Sequence, residues 1–138
     1  MNNVGYSGTL LWQKLGIKHG ARILFINPPA GYDSLIKPLP PDVVRVSGRG
    51  KELDLIQYFV TSRRSLEKNI ASLRDRINQN GALWISWPKL SSGVLSDLSE
   101  DVIRGIGIKN NLVDVKVCAV DKVWSGLKFV IPLKSRKK

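Results

Sequence analysis

Residues 87–93, Trp87-Pro88-Lys89-Leu90-Ser91-Ser92-Gly93, hold the densest group of side chains able to grip a ligand. Two hydroxyls, an ammonium and a glycine follow an apolar run, and such a set can hold an anion such as phosphate through hydroxyl and backbone N–H donors. A second group, Lys116, Asp121, Trp124, Ser125 and Lys128, stands near the C-terminus. Packing accounts for it: Trp84, Trp87 and Trp124 read as core or edge aromatics, with the two lysines reaching outward along their stems. Nucleophilic chemistry lacks its partners. His19 is the only histidine and lies in a turn before the first strand, at the wrong end of a sheet for Ser91 or Ser92. Cys118 is the only cysteine and sits in an apolar run, where a thiol is more often a small core residue than a nucleophile. One cysteine and one histidine cannot supply a zinc site. Asp97, Glu100 and Asp101 cluster at a helix start, where the macrodipole favours carboxylates for structural reasons alone. The expected site therefore binds rather than catalyses, with no catalytic residue and no metal ligand.

The elements that must position these residues follow from apolar periodicity. Residues 9–15 read as a short helix stopped by Gly16, and residues 21–26 as a strand buried on both faces. Asn27-Pro28-Pro29-Ala30-Gly31 must be a loop, because neither proline can donate to a ladder. A short helix is predicted over residues 32–37, a brief strand over 42–46 and a turn at 47–50. Residues 55–60 form a third strand ending at Thr61-Ser62, either of which can cap a helix. From Ser62 to Gln79, Leu66, Ile70, Leu73 and Ile77 recur as one helical stripe, and Asn80-Gly81 supplies a left-handed stop. Residues 82–87 are a fourth strand, a helix starts near Ser99 with Val102, Ile103 and Ile106 inward, and residues 113–120 and 127–133 form a hairpin across a loop at 121–126. Strands alternating with helices imply a three-layer α/β fold: a mostly parallel six-stranded sheet, helices on both faces, and an antiparallel hairpin at the C-terminal end.

The chain has 138 residues, the usual size of one domain. Residues 1–133 are read as that domain and 134–138 as a frayed basic tail. A chain of this size with 43% hydrophobic residues needs no disulfide or metal staple. No run approaches the roughly 20 apolar residues of a membrane span. The N-terminus carries no secretory pattern, so a cytoplasmic protein without membrane partners is expected. Lys and Arg total 22 against 11 acids, a net charge of +11. The excess lies near the two ends, whereas residues 51–100 are almost balanced. Such a field attracts nucleic acid, although no aromatic and basic stripe accompanies it.

Residues 15–24, Leu-Gly-Ile-Lys-His-Gly-Ala-Arg-Ile-Leu, resemble the lead-in to the first strand of class I methyltransferases, and Asn80-Gly81-Ala82-Leu83-Trp84-Ile85 is similar to their step from a long helix into a strand. More narrowly, Trp87-Pro88-Lys89, Ser91-Ser92-Gly93-Val94, residues 113–121 and Trp124-Ser125-Gly126-Leu127-Lys128 resemble a bacterial family of short proteins with no assigned chemistry, over residues 5–131. The resemblance implies a methyltransferase-like Rossmann fold lacking one strand–helix unit between the second and third strands. Its sheet order is then second, first, third, fourth, sixth, fifth. Ligands of open α/β sheets bind outside the carboxyl ends of the strands at the switch point, here between the first and third strands. This gathers Asn27, Gly31 and Tyr32, then Thr61, Ser62 and Arg63, then Trp87, Lys89, Ser91, Ser92 and Gly93 around one crevice.

Close approach of S-adenosylmethionine to the first loop calls for glycines, and this loop has one glycine and two prolines. The acid expected at the end of the second strand is absent, with Arg45, Ser47 and Arg49 in its place. Asn27-Pro28-Pro29 resembles the catalytic tetrapeptide of amino-methylating enzymes, which carry it after a later strand. The sequence thus points to a non-enzymatic binding or regulatory domain without a cofactor, recognising a small anionic ligand or a protein partner at the crevice. One alternative is a nucleic-acid-associated protein using Arg63, Arg64, Arg74 and Arg76. A second is a divergent S-adenosylmethionine-dependent methyltransferase.

Overall fold

The computed structural model describes residues 9–137. Its six strands are β1 (Arg22–Ile26), β2 (Val44–Arg45), β3 (Leu53–Phe59), β4 (Ile77–Pro88), β5 (Val113–Ala119) and β6 (Trp124–Val130). They lie in the order β2-β1-β3-β4-β6-β5. The first four are parallel, β6 runs antiparallel to β4, and β5 antiparallel to β6. Four α-helices cover the sheet: α1 (Leu11–Leu15), α2 (Tyr32–Ile36), α3 (Arg63–Arg74) and α4 (Glu100–Lys109). The expected three-layer architecture and strand order are both present.

Alternation along the strands divides the apolar residues between two cores. Leu66, Ile70 and Leu73 of α3 and Ile103 and Ile106 of α4 pack on Leu83, Ile85, Leu127 and Phe129. On the other face, Leu15 of α1 and Tyr32 and Ile36 of α2 pack on Ile23, Phe25, Leu55, Phe59 and Trp84. Trp84 is fully buried and its indole N–H donates to the Leu15 carbonyl at 2.9 Å, tying the first helix to the middle of the sheet.

Several boundaries differ from the sequence reading. Helix α3 ends at Arg74, and Ile77 already pairs with Leu53 as the first residue of β4. Ile77 shares the α3 core from its strand, so its place in the helical stripe is coincidental. Gly81 is therefore no helix stop. It lies in β4 where a Cβ would stand 2.9 Å from the Leu53 carbonyl oxygen, beside a register shift between Leu53 and Leu55. The hairpin loop is also shorter than expected. One carboxylate oxygen of Asp121 accepts the N–H groups of Val123 and Trp124 at 2.8 and 2.7 Å, which closes the turn and starts β6 at Trp124. The C-terminal segment is docked rather than frayed: Arg136 donates to the Ile131 carbonyl at 2.9 Å, and the Lys137 N–H to Gln79 at 2.7 Å. At the outer edge, β5 is interrupted by a bulge, because Asp114 and Lys116 oppose consecutive residues of β6 and Val115 is extra.

The caps match their sequence signals. Ser62 accepts from the Ser65 N–H and Ser99 from the Val102 N–H. Arg104 of α4 bonds Asp114 of β5 at 2.8 Å and also meets Glu100 and Asp101. The Arg104 hydrogen bond holds the Asp114 carboxyl below the usual carboxylate range. A group depressed in the folded state stabilises above its unfolded pKa, about 3.9, and that contribution vanishes as pH falls through the lower folded value. Asp114→Asn should therefore lower the thermal midpoint at pH 7, and the difference from the parent should close as pH falls below about 3. A midpoint series from pH 7 to pH 2 checks this.

Candidate functional site

The carboxyl ends of β1 and β2 open onto a hollow of about 450 Å³ lined by Phe25, Ile26, Asn27, Arg45, Val46, Ser47, Gly48 and Arg76, among others. It adjoins a second hollow of about 270 Å³ that shares Ile26, Asn27 and Arg76 and adds Tyr58 of β3 and Asn69 and Ser72 of α3. The cleft exists because the chain passes from β2 to β3 without an intervening strand–helix unit. The α3 side of β1 at this end consequently has no helix of its own.

Each polar group here is held in a particular way. Asn27 ends β1 with a left-handed φ of 55° and forms no side-chain hydrogen bond within the described residues. Arg45 donates to Asp33 at 2.7 Å, and its guanidinium lies 4.8 Å above the Phe25 ring. Arg76 reaches back to the Gly50 carbonyl at 2.8 Å and also bonds the Gly48 carbonyl, which fixes the turn after β2. Gly31 has a φ of 82° and nothing within 4 Å of the place its Cβ would occupy, so the first loop presents an open backbone there.

The other sequence-predicted residues divide between this end and the interior. Tyr32 is buried, with its hydroxyl donating to Gln57 Oε1, and Gln57 Nε2 donates to Ser86 Oγ at 3.0 Å. This buried polar row links α2, β3 and β4 on the face of the sheet that α1 and α2 cover. Burial pushes the Tyr32 hydroxyl well above the ordinary phenol range, against the opposing pull of Gln57. Tyr32 is thus a core residue and does not line the cleft. Thr61 accepts from the Ser96 hydroxyl through its carbonyl at 2.8 Å, and the Arg63 N–H donates to Asp97 at 2.7 Å. Asp97 hence caps α3 rather than its own helix. Trp87 is buried against the α3 core.

Residues Leu90–Ser92 make a 3-10 turn ended by Gly93 in the left-handed region. Lys89 donates to the Asp121 carbonyl at 2.8 Å, and Ser92 Oγ accepts the Val94 N–H at 3.1 Å. Ser91 is exposed. The loop therefore lies at the carboxyl end of β4, apart from the cleft that Asn27 lines. His19 is exposed at the opposite end of the sheet and faces Asp42 at 3.4 Å. Cys118 is half-buried, and burial raises its thiol pKa, as expected of a packing residue. Of the arginines considered for nucleic acid, Arg74 donates to the Asn111 carbonyl at 3.2 Å and Arg63 to Glu67 at 3.3 Å. Sequence reasoning did not assign Gly48, Asn69 or Ser72 to a site, and placed Arg76 only in a nucleic-acid contact, whereas here it lines the cleft. The only signal was the missing strand–helix unit, whose absence leaves their surface uncovered.

No family model matches the sequence, and no curated protein does. The bacterial family of short proteins therefore gains no support beyond the fold itself. Solved structures do share that fold. A putative type 11 methyltransferase from Sulfolobus solfataricus is 13% identical, with a TM-score of 0.64 over 93% of each chain. An S-adenosylmethionine-dependent methyltransferase from Aquifex aeolicus is 16% identical, with a TM-score of 0.63 over 88% of each chain. Aeropyrum pernix fibrillarin, in complex with natively bound S-adenosyl-L-methionine, is 15% identical, with a TM-score of 0.55 over 87% of this chain and 73% of that one. The fold is that of the methyltransferases. The expectation of a non-enzymatic binding domain is corrected by these neighbours: they are described as methyltransferases, two of them S-adenosylmethionine-dependent, and the alternative of a divergent methyltransferase fits them better. Among the described residues, no helix is long and apolar enough to cross a membrane.

Proposed function

We propose that this chain is a divergent S-adenosylmethionine-dependent methyltransferase whose cofactor lies in the cleft at the carboxyl ends of β1 and β2. One observation carries the reading: the sheet order β2-β1-β3-β4-β6-β5, with its reversal between β1 and β3, opens a hollow beside that switch point. The residues lining it suit an adenosyl group. Ile26 and Val46 offer an apolar wall for a base, while the Asn27 amide and Ser47 hydroxyl offer hydrogen bonds to a ribose. Arg45 and Arg76 supply positive charge for a carboxylate, and the open backbone at Gly31 admits close approach.

Two departures set the expected affinity low. The first turn carries Pro28 and Pro29, which provide no N–H donors. The acid nearest the end of β2, Asp33, is already engaged by Arg45. When bound, the cofactor supplies an electrophilic methyl group. The chain's own contribution is positioning, which alone can account for much of the acceleration of a two-reactant transfer. Beyond this hollow, at the same end of the sheet, Thr61, Ser62 and Arg63 after β3 and Lys89, Ser91, Ser92 and Gly93 after β4 are the proposed acceptor-binding residues.

Titrating the protein with S-adenosylhomocysteine tests this. Ligand at 100 times its dissociation constant adds about 2.7 kcal/mol, which raises the thermal midpoint by several degrees. Ser47→Arg, which fills the hollow from an exposed position, should weaken binding about tenfold or more. Absence of any shift with either the methyl donor or its product at about 5 mM would remove the proposal.

A further inference from the structure

The opposite end of the sheet carries another hollow, of about 380 Å³, where β1, β3 and β4 begin and β6 ends. We infer that it is a binding site for a phosphate group of a small ligand, with the Lys128 ammonium in its wall and Lys18 at its rim. This inference stands apart from the methyltransferase reading, since the two clefts lie at opposite ends of the strands.

Small side chains make the space. Ala21, Gly81 and Ala82 line it alongside Ile17, Leu55 and Val130, which leave an apolar surface for the body of a ligand. The turn from Gly16 to Gly20 forms another wall. Gly16 has a φ of 82°, and the place its Cβ would occupy is 3.4 Å from Lys128 Nζ, so the ammonium rests against bare backbone.

The charges are unbalanced. Lys128 is half-buried, and burial, then Lys116 and Lys18, hold its ammonium below the ordinary lysine range. Lys116 of β5 reaches across to the Lys14 carbonyl at 3.0 Å and acts on Lys128, which adds one more cation near the hollow. Asp54 is the acid in its lining, and its oxygens already accept from the Arg22 N–H at 2.8 Å and from Asn78 at 2.9 Å. Asp42 faces His19. The ion pairs of the described residues include none of Lys14, Lys18, Lys116 or Lys128. Residues 1–8 contain no Asp or Glu. An anion in the hollow would relieve this repulsion. The lysines are mobile point charges without a planar fork, an arrangement that suits a multiply charged tetrahedral anion. The volume is at the small end of the range for ligand pockets.

The test is calorimetric titration with pyrophosphate, adenosine monophosphate and a short oligothymidylate, followed by carbon-13 NMR of the lysine side chains. Pyrophosphate and adenosine monophosphate should bind, shift the Lys128 signal and raise its titration midpoint. Lys128→Met and Lys18→Glu should each weaken binding about tenfold or more, whereas Lys68→Ala, exposed on α3, should not. Should Lys128→Met fail to fold, the exposed Lys18→Glu variant and the Lys128 signal of the parent protein decide the matter. Excess S-adenosylhomocysteine should leave pyrophosphate binding unchanged, which separates failure of this site from failure of the other. No binding at about 10 mM, or equal affinity in both variants, would overturn the inference. Oligothymidylate binding with Lys128 unmoved by pyrophosphate would also overturn it, in favour of a nucleic-acid backbone contact elsewhere.

Discussion

Trp84→Ala should destabilise the fold by about 3–5 kcal/mol. That is a large share of the roughly 5–15 kcal/mol that a domain possesses. Trp84 has no exposed surface and stands mid-sheet in β4, between β3 and β6. Removing its ring opens a cavity against Gly126, whose missing Cβ would itself sit 3.0 Å from the indole. It also strands the Leu15 carbonyl that accepts the indole N–H. Trp84→Phe separates the two effects, because it keeps most of the volume and loses only the donor, at a cost of about 1–3 kcal/mol. Urea unfolding of both variants measures the difference. Equal stability of parent and alanine variant would mean that α1 is not fastened to the sheet as described.

Gln57→Leu should cost roughly 2–4 kcal/mol despite its apolar character, since it deprives two buried hydroxyls of partners at once. Tyr32 loses its acceptor and Ser86 its donor, and burial keeps water from replacing either. The asymmetry of buried hydrogen bonds makes this checkable. Adding Tyr32→Phe and Ser86→Ala to Gln57→Leu removes the stranded groups as well, and the triple variant should recover most of the loss. Denaturant midpoints for the single and triple variants decide it. A triple variant no more stable than the single one would show that packing at Gln57, rather than polar satisfaction, sets the cost.

Much of the fold was legible in the sequence because its strongest signals are local. The runs at Ile23–Ile26 and Leu55–Val60 are too apolar and too short to be anything but buried strands, and the caps at Ser62 and Ser99 sit where their side chains accept. The resemblance to methyltransferases supplied the strand order, which no local pattern contains. Periodicity failed at Ile77 for a clear reason: a strand entering the core beside the helix it follows can continue the same apolar stripe. The loop at 121–126 was drawn too long because Asp121 bonds its own backbone two and three residues on.

The site was less legible. Asn27, named from its loop, lines the hollow, but Arg76 reaches it from beyond the end of α3, and Gly48 enters only because Arg76 fixes its carbonyl. Tyr32 was assigned to the crevice from its position in the chain, whereas its ring turns inward to Phe25 and Phe59. A glycine-poor first loop suggested a lost cofactor. The shared fold of the methyltransferase structures does not support that inference.

The bulge at Val115 has a consequence for how copies of this chain behave together at high concentration. One margin of the sheet, β2, is two residues long and offers little to a neighbour. The other, β5, carries the exposed valines Val113, Val115 and Val117, the kind of flat apolar ribbon that recruits strands from other molecules. The extra residue breaks the spacing of the N–H and C=O groups that are unpaired among the described residues and increases the local twist, so an incoming strand in regular register meets mismatched partners. Among the described residues, that inserted valine is the feature of the β5 edge that opposes open-ended strand addition.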